Sequence, residues 1–173
     1  MLQVQYRMNP ILVEFPNHQF YDGQLKSGVS QTDRLLPTSN FPWPKVESKE
    51  KGEFVHPICF IQCSSLESPG ASKSNHGQAV TVGEVIKKLR TNSQSDTNEL
   101  SKQKSMQITV LTPYSRQVKE LENVIKKYGS VDIFTIDGYQ GRESEIIIFS
   151  TVRCNNHGAV GFLGEFYVQN SAD

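Results

Sequence analysis

The sequence predicts an α/β fold built on a mostly parallel sheet. Three apolar runs, residues 107–112, 131–136 and 144–152, are typical of β-strands. Residues 114–129 lie between the first two runs and repeat apolar side chains at helical spacing, and Gly129 ends that pattern. Strands that alternate with helices in this way form βαβ units, which favour parallel strand pairing.

The elements before this region follow from local patterns, taken in chain order. A short helix is expected over residues 10–20, ahead of an Asp-Gly turn signal. Residues 26–56 are rich in Ser, Thr, Pro and Lys without apolar periodicity, so we expect an irregular insertion that wraps the surface. Residues 78–90 have helical spacing, and the polar residues 91–106 are expected to form a mobile loop.

Residues 57–63 favour a further extended strand and contain two of the three cysteines. Cys59 and Cys63 lie four residues apart with His56 just before them, which is a weak sign of a metal site. In a strand the two cysteines share one face, and the sequence offers no fourth ligand nearby. Since free cysteines are commonly buried, we expect ordinary core cysteines and no metal site.

The strand over residues 144–152 has a continuous apolar run rather than an alternating one, which predicts that both of its faces are covered. In parallel sheets, ligands bind beyond the carboxyl ends of the strands. Residues 137–143 follow the strand 131–136, and residues 112–117 follow the strand 107–112. Both loops are therefore expected at one edge of the sheet, where together they can form one site.

The charge and composition of the chain exclude several classes of protein. Lys plus Arg and Asp plus Glu number 18 each, so the net charge of zero indicates no overall attraction to nucleic acid or membrane. No apolar run approaches the ~20 residues that cross a bilayer, and the amino terminus lacks a signal-peptide pattern. Three cysteines are too few for a disulfide scaffold. We therefore expect a soluble intracellular protein, in the cytoplasm or alternatively the nucleus.

The polar loop between the second and third of these strands combines conformational freedom with hydrogen-bonding side chains. Gly138 and Gly141 allow a close approach of the backbone or a positive φ. An amide, a cation and an anion are added by Gln140, Arg142 and Glu143. These residues fit a ligand-binding loop, and they fit equally well a polar turn with an exposed ion pair.

A second polar cluster, Gln5, Tyr6 and Arg7, lies immediately before Asn9 and Pro10. An arginine beside an aromatic ring and an amide is typical of a site that contacts phosphate or stacks on a base. The alternative is a surface arginine without a ligand.

Six motifs occur in one order along the chain: LQVQYRMNP, EFPNHQFYDGQL, DRLLPTSNFPWP, LTPYSRQ, TIDGYQGRESEIIIFSTVR and GFL. In this order they resemble the second RecA-like domain of superfamily 1 RNA and DNA helicases. Within that superfamily they are most similar to the nonsense-mediated-decay helicases, the regulators of nonsense transcripts, and next to the senataxin group. The resemblance covers residues 1–164 and implies a RecA-like, P-loop-NTPase-type three-layer fold without the P-loop itself. Residues 165–173 are expected to be a divergent or truncated tail.

The resemblance implies nucleotide-site roles for residues at both polar clusters. Arg7 corresponds to an arginine finger that reaches the γ-phosphate of ATP bound between two RecA-like domains, where its charge stabilises the transition state. Glu143 is expected near the ribose or near the phosphate and magnesium region, and these two residues are the catalytic candidates. The nucleotide-binding candidates are Gln5, Tyr6, Gln140 and Gly141.

The resemblance also implies a path for single-stranded RNA or DNA. Positions that contact the nucleic-acid backbone in the family correspond to Thr112, Pro113, Tyr114, Thr135 and Arg153. Because the net charge is zero, binding by this region alone is expected to be weak and strongly dependent on salt. No metal ligand is expected within the chain.

Some features of the family are missing from the sequence. No Gly-x-x-x-x-Gly-Lys-Ser/Thr motif occurs, since the nearest string, SPGASKS, lacks the Gly-Lys step. ATP and Mg²⁺ are therefore expected to bind only together with the first RecA-like domain of the same helicase. Gln78 stands where a glutamate is usual. After GFL the chain reads GEFYVQNSAD rather than an arginine-rich stretch, which favours a fragment, a truncated product or a divergent end.

The sequence therefore predicts the C-terminal motor domain of an ATP-dependent RNA or DNA helicase that is inactive alone, with RNA surveillance such as nonsense-mediated mRNA decay as its process. Its expected partners are single-stranded nucleic acid and the first RecA-like domain, with no membrane. One alternative is a non-catalytic RecA-like interaction module or a truncated helicase relic. The other is an unrelated α/β nucleotide-binding or hydrolase domain, which the strand and helix pattern does not separate.

Overall fold

A computed structural model describes residues 3–31, 44–48, 52–92 and 107–161 of the chain. The chain divides into two compact units. The first contains Met1–Ile61 with Asn92–Ser95, and the second contains Gln62–Thr91 with Asp96–Asp173.

The first unit contains a helix and two small strand pairs. β1 (Val4–Gln5) pairs in parallel with β2 (Lys26–Ser27), and helix α1 (Pro10–Phe20) lies between them in the chain. β3 (Lys45–Ser48) and β4 (Gly52–Val55) form an antiparallel hairpin. The helix prediction is confirmed. The prediction of an irregular insertion is wrong where the structure describes it, because a hairpin needs only backbone pairing between short strands and not a long apolar pattern.

Side-chain hydrogen bonds define both ends of α1. The Asn9 side chain caps the amino terminus by accepting from the Ile11 N–H at 3.1 Å, and Pro10 occupies the first turn. After the helix, the Asn17 side chain closes the following turn, since it both donates to the Leu25 carbonyl and accepts from the Leu25 N–H. The expected Asp-Gly turn lies between these two residues, with positive φ at both Asp22 and Gly23.

The second unit is built on a parallel sheet. Its strands are β5 (Ile108–Thr112), β6 (Asp132–Thr135) and β7 (Ile146–Phe149), in the spatial order β6-β5-β7. Both pairings are parallel, with Thr112 opposite Thr135 at the carboxyl end. These strands confirm the predicted α/β class and the parallel sheet.

Two helices accompany this sheet. α2 (His76–Asn92) begins two residues earlier and ends two residues later than its apolar pattern predicts. α3 (Ser115–Ile125) continues into a 3₁₀ turn (Lys126–Tyr128) and packs on β5 and β6. Gly129 follows with φ of 93°, as the predicted helix stop requires. The apolar core of this unit includes Val82, Val85, Ile86, Leu89, Ile108, Val110, Leu121 and Ile125.

The prediction that the third strand is covered on both faces is wrong. Ile146 is buried, but Ile147 and Phe149 are 50% and 47% exposed. Among the described strands, β7 lies at one edge of the sheet, so one face of the strand packs inward while the other remains open to solvent. The strand also spans only four of the nine expected residues, and its bonding to β5 ends one residue later, where the Ser150 N–H donates to the Leu111 carbonyl.

The strand expected over residues 57–63 is also absent from the described chain, where residues 56–75 contain no regular element. Phe60 is 88% exposed, and Cys59 and Cys63 are free thiols of intermediate burial, so the prediction of core cysteines is wrong. Burial raises the pKa of the Cys59 thiol. His56 accepts from the Ile58 N–H at 3.0 Å. Within the described ranges, no group of three His, Cys, Asp or Glu residues could hold a metal ion.

Several predictions fall on residues outside the description. α2 reaches Asn92, and the rest of the expected mobile loop, residues 93–106, lies outside the described residues, as does the tail 165–173. The boundary at residue 164 stays a prediction. In the part of the chain that the structure describes, no helix is long and apolar enough to cross a bilayer.

Candidate functional site

The three parallel strands of the second unit bring three polar segments to one edge of the sheet. The Ile136 N–H donates to the Thr112 carbonyl at 3.2 Å, and the Ser150 N–H donates to the Leu111 carbonyl at 2.9 Å. The two loops expected at this edge therefore do lie at the same edge, and the segment after β7 joins them. We call residues 136–143 the β6 loop and residues 150–153 the β7 turn.

The β6 loop lines an open pocket of about 360 Å³. Its lining residues are Leu111, Ile136, Asp137, Tyr139, Gln140, Gly141 and Arg142. The loop begins as a 3₁₀ turn, which the Thr135 hydroxyl stabilises by accepting from the Gly138 N–H at 3.2 Å. Gly141 has φ of 83°, and a Cβ placed there would meet no atom within 4 Å. A ligand can therefore approach the backbone closely at Gly141.

An aromatic and cationic cluster adjoins this pocket, and two of its members, Tyr139 and Arg142, line it. The Arg142 guanidinium lies 4.7 Å from the centre of the Phe134 ring, which in turn lies 5.9 Å from the Tyr139 ring. The Tyr139 hydroxyl is buried and has no hydrogen-bond partner among the described residues. The contact with Phe134 places the Arg142 guanidinium beside the pocket, where it can meet a ligand.

The two polar side chains assigned to this loop from the sequence are both at the surface. Gln140 and Glu143 are exposed, and Gln140 lines the pocket while Glu143 is not among its lining residues. A backbone hydrogen bond of 3.0 Å from the Arg142 N–H to the Tyr139 carbonyl fixes the turn between them. The structure therefore places Gln140 and Gly141 together at one pocket and Glu143 just beyond it.

The predicted nucleic-acid residues after β5 are more enclosed than expected. Thr112 is fully buried, and its hydroxyl has no hydrogen-bond partner within the described ranges. Tyr114 is buried ahead of α3, and only Pro113 is partly exposed. In this arrangement the ring of Tyr114 and the hydroxyl of Thr112 are enclosed by the protein. Contact with a ligand is therefore left to the backbone and to Pro113.

The β7 turn contains a strained residue that the sequence does not reveal. Val152 is fully buried and has φ of 69°, a conformation that is rare for a β-branched side chain. The Arg153 N–H donates to the Thr151 carbonyl at 2.7 Å, and this bond between residues two apart closes a γ-turn around Val152. Such strain costs about 1–3 kcal/mol and persists only when surrounding contacts enforce it.

Those contacts come from a buried network of three side-chain amides and one hydroxyl. We call this network the amide clamp, and its members are Asn75, Gln78, Gln117 and Ser150. The Gln78 side-chain oxygen accepts from the Val152 N–H at 2.8 Å, and the Asn75 side chain donates to the Val152 carbonyl at 3.1 Å. Both polar groups of the strained residue are thus held from α2 and the residue before it.

The members of the amide clamp also hold one another. Gln117 accepts from the Asn75 N–H at 2.6 Å and donates to the Ser150 hydroxyl at 3.2 Å, and that hydroxyl donates to Gln78 at 2.9 Å. The Asn75 side chain caps α2 by accepting from the Gln78 N–H at 3.0 Å. Because all four residues are buried, the loss of one partner leaves other polar atoms unsatisfied.

Arg153, the fifth predicted nucleic-acid residue, takes part in a separate ionic cluster. Its Nε lies 3.2 Å from the Glu67 carboxylate, which also accepts from the Cys154 N–H at 3.1 Å and lies 3.6 Å from the Lys73 amine. Burial raises the pKa of Glu67, but the hydrogen bonds from Cys154 and Asn155 and the charges of Arg153 and Lys73 outweigh it and lower the pKa overall.

The Arg153 guanidinium therefore stabilises the fold of its own segment through contacts within the chain. It also donates to the Ala159 carbonyl at 2.7 Å, and its side chain is only 14% exposed. A Cβ on Gly161 would lie 3.2 Å from this guanidinium, so the chain passes close over it. In this state Arg153 supports the β7 turn and is not presented to solvent.

The first unit contains the other sequence-predicted cluster. The Gln5 side chain accepts from the Met8 N–H at 2.8 Å, donates to the Met8 carbonyl at 2.9 Å and donates to the Ser27 hydroxyl at 2.6 Å. These bonds close the turn that carries Tyr6 and Arg7, both of which are exposed. Gln5 therefore fixes the turn that presents Arg7.

The Tyr6 ring lies against Gly28, where an added Cβ would clash with it. The residue Tyr6 is nevertheless 65% exposed. The glycine permits this close approach, and the exposed part of the ring remains open to a stacking ligand.

Sequence reasoning missed the structural roles of Gln117, Ser150 and Glu67. Gln117 and Ser150 lie within the motifs LTPYSRQ and TIDGYQGRESEIIIFSTVR, but their partners in the amide clamp are 33 to 72 residues away in the chain. Glu67 lies outside these motifs, and its hydrogen-bond donors Cys154 and Asn155 are 87 and 88 residues away. Only Gln78 gave a signal, as the first residue of a predicted helix and at a position where a glutamate is usual in the family.

Comparison with known proteins agrees with this architecture. A family model described as an AAA domain matches residues 1–172. The chain is 34% identical to regulator of nonsense transcripts 1 of Caenorhabditis elegans over 95% of its length, which is 15% of that protein. It is 35% identical to ATP-dependent helicase NAM7 of Saccharomyces cerevisiae over 94% of its length, which is 16% of that protein. For a homolog of regulator of nonsense transcripts 1 in Arabidopsis thaliana, the identity is 32%.

A parallel sheet with accompanying helices and with polar loops at its carboxyl edge defines the class as an α/β domain of the RecA-like type. The chain belongs to the AAA domain family, and the resemblance to the second RecA-like domain of superfamily 1 helicases of the nonsense-transcript regulator type is confirmed. The chain spans only 13% to 16% of the length of these three relatives.

Proposed function

We propose that this chain is the C-terminal motor domain of an ATP-dependent RNA or DNA helicase. The observation that carries the proposal is the similarity along almost the whole chain to proteins named as helicases and regulators of nonsense transcripts. The polar segments gathered at the carboxyl edge of the sheet support it, because ligands of such sheets bind there.

Each unit by itself contains residues of the kind that ATP sites use. Gly141 leaves the backbone open to a phosphate or ribose, and Gln140 lines the same pocket. Arg7 is exposed on a turn that Gln5 closes by two hydrogen bonds to Met8 and anchors by a third to Ser27, so the backbone that carries Arg7 is held before any ligand binds. An arginine finger needs this kind of preorganisation. Bound ATP with Mg²⁺ would supply the γ-phosphate that is transferred to water.

In this proposal Arg7 stabilises the charge on the γ-phosphate, Tyr6 offers its exposed ring to the nucleotide, and Glu143 orients groups near the ribose or the metal. The sequence lacks a P-loop motif, so the phosphate-cradling lysine has to come from the first RecA-like domain. The isolated chain is therefore expected to bind ATP and Mg²⁺ poorly and to hydrolyse no ATP.

The proposed path for single-stranded nucleic acid follows the carboxyl edge of the sheet. Pro113 and the backbone around Thr112 and Tyr114 would contact it from the end of β5, and Thr135 would support it through the β6 loop. Arg153 would contribute by holding the β7 turn through its ion pair with Glu67. With few unpaired cations at this edge, affinity should depend on contacts from backbone and hydroxyl groups.

The names of the relatives suggest the biological process. We place the protein in RNA surveillance of the nonsense-mediated decay type, in the cytoplasm or alternatively the nucleus. Its partners in that role would be single-stranded nucleic acid and the first RecA-like domain.

A domain exchange tests this function. The chain replaces the corresponding segment of ATP-dependent helicase NAM7, and RNA-stimulated ATP hydrolysis is measured. We expect activity in the exchanged protein, and a loss of about a thousandfold on Arg7→Ala, as for other arginine fingers. Lys119→Ala, which removes an exposed cation from α3, is the matched control and should leave activity unchanged. A folded exchange that binds RNA without ATP hydrolysis would favour a non-catalytic interaction module.

A further inference from the structure

The β7 turn contains a hydroxyl with no structural role in the described chain. Thr151 is exposed at the carboxyl end of β7, while its neighbours Ser150 and Val152 are buried. Its carbonyl accepts the hydrogen bond that closes the γ-turn. The side chain of Thr151 makes no hydrogen bond among the described residues, so the fold itself does not require the hydroxyl.

The position of Thr151 relative to the sheet is well defined. The Ser150 N–H donates to the Leu111 carbonyl, which continues the parallel pairing of β7 with β5 one residue beyond the strand. When the register Leu111–Phe149 is continued by two residues, Thr151 comes level with Pro113, the partly exposed residue after β5. Both residues follow the carboxyl ends of their strands.

The strain at Val152 sets this position. A β-branched residue strongly disfavours positive φ, so a free chain would relax and turn Thr151 away from its present direction. The amide clamp prevents the relaxation, because Gln78 holds the Val152 N–H and Asn75 holds the Val152 carbonyl. Strain of this kind that is enforced from outside the turn is commonly found where a chain presents a functional group.

We propose that Thr151 is a contact for the phosphodiester backbone of single-stranded nucleic acid, and that Gln78 positions it by holding Val152 in the strained γ-turn. The inference rests on the proposed function and adds two residues to it. The Thr151 hydroxyl donates to a phosphate oxygen, a contact that threonine commonly makes and that needs no net positive charge. Thr151 is the binding residue, and Gln78 acts only through the turn.

The test measures binding of the 173-residue chain to fluorescein-labelled oligouridylate and oligothymidylate by anisotropy at low salt. Thr151→Val keeps the shape of the side chain and removes its hydroxyl, and it should weaken binding about three- to tenfold. Ser130→Ala is the matched control, because it removes an exposed hydroxyl just before β6, at the amino-terminal ends of the strands. Binding of the control should not change.

The positioning role of Gln78 is tested by rescue. Gln78→Ala removes the acceptor of the Val152 N–H and should weaken binding to a similar extent, whereas Gln78→Glu keeps an acceptor oxygen and should retain binding. Glycine adopts positive φ without strain, so Val152→Gly should restore most of the binding lost in Gln78→Ala. A merely structural role predicts the opposite, since each change removes buried contacts and the double variant would bind more weakly than either single one.

The outcomes distinguish a failure of the proposed Thr151 contact from a failure of the proposed nucleic-acid function. A wild-type chain that binds neither oligonucleotide overturns the proposed nucleic-acid function and this inference with it. A wild-type chain that binds, with Thr151→Val unchanged, overturns only the contact at Thr151. Binding that Thr151→Val reduces but Val152→Gly does not restore in Gln78→Ala overturns the positioning role. Circular dichroism of each variant confirms folding, and the surface change Thr151→Val decides the contact even where a clamp variant fails to fold.

Discussion

The β6 loop and the β7 turn both lie at the carboxyl ends of the strands of one sheet, on opposite sides of β5, yet they are held in different ways. The β6 loop is exposed, closed mainly by its own 3₁₀ turn, and open beside Gly141. The β7 turn is held by buried side chains from α2 and α3, and it uses them to maintain a strained valine. A parallel sheet can thus present at one edge both an adaptable loop and a fixed one.

This difference has a physical origin in where the hydrogen bonds come from. Bonds within the β6 loop join residues that are three apart, so the loop can change shape at little cost to the rest of the fold. Bonds to the β7 turn come from distant parts of the chain: Gln78 is 74 residues from Val152, and Gln117 is 33 residues from Ser150. Moving the β7 turn therefore requires the core to open.

The largest effect is expected from breaking the amide clamp. Asn75→Ala removes the cap of α2 and the donor to the Val152 carbonyl, so we expect the free energy of unfolding to fall by about 3 kcal/mol. Urea denaturation measures the change. The matched control is Asn123→Ala at an exposed position of α3, which should change the free energy by less than about 0.5 kcal/mol. Equal losses in the two variants would show that the β7 turn is not fixed by the clamp.

A smaller and pH-dependent effect is expected at the ionic cluster beside the β7 turn. Glu67→Gln removes the charge that meets Arg153 and Lys73, and it should lower the free energy of unfolding by about 1–2 kcal/mol at neutral pH. The pKa of Glu67 is lower in the folded chain than in the unfolded chain. Its contribution is therefore complete above the ordinary glutamate pKa of about 4.3 and is lost as the pH falls through the lowered pKa.

Urea denaturation as a function of pH measures this contribution. The difference between the wild type and Glu67→Gln should shrink as the pH falls below about 4. A Glu122→Gln control, at an exposed position of α3, should show no such difference. If the difference instead grew at low pH, the assigned direction of the pKa shift at Glu67 would be wrong.

The smallest effect is expected in the β6 loop. Arg142→Ala removes the stacking of a guanidinium on Phe134, a contact worth about 0.5–1 kcal/mol at an exposed site. Thermal denaturation should show a shift close to that of the exposed control Lys119→Ala. A shift as large as that of Asn75→Ala would mean that the β6 loop is as firmly fixed as the β7 turn, and the contrast between them would fail.

The sequence was a good guide wherever a single segment determines its own structure. The helix at Pro10–Phe20, the stop at Gly129 and the three parallel strands all follow from local spacing and from residues with special backbone preferences. The two loops at one edge followed from the strand and helix pattern as well. The family resemblance rested on motifs of the same local kind.

The failures have a different cause. The continuous apolar run of β7 predicted cover on both faces, but whether a face is covered depends on neighbouring elements, and Ile147 and Phe149 remain half exposed. The β3–β4 hairpin was missed because its short strands carry no apolar pattern. The roles of Thr112, Tyr114 and Arg153 also depend on burial, which spacing in the sequence does not report.

The sequence by itself determined the α/β class, the family and the positions of the polar loops, because these depend on local patterns and on the carboxyl ends of parallel strands. Only the tertiary structure decided how each loop is held. The strain at Val152, the amide clamp and the pairing of Arg153 with Glu67 each join residues that are far apart in the chain. Such contacts arise when the core packs, and no local preference of the individual residues specifies them.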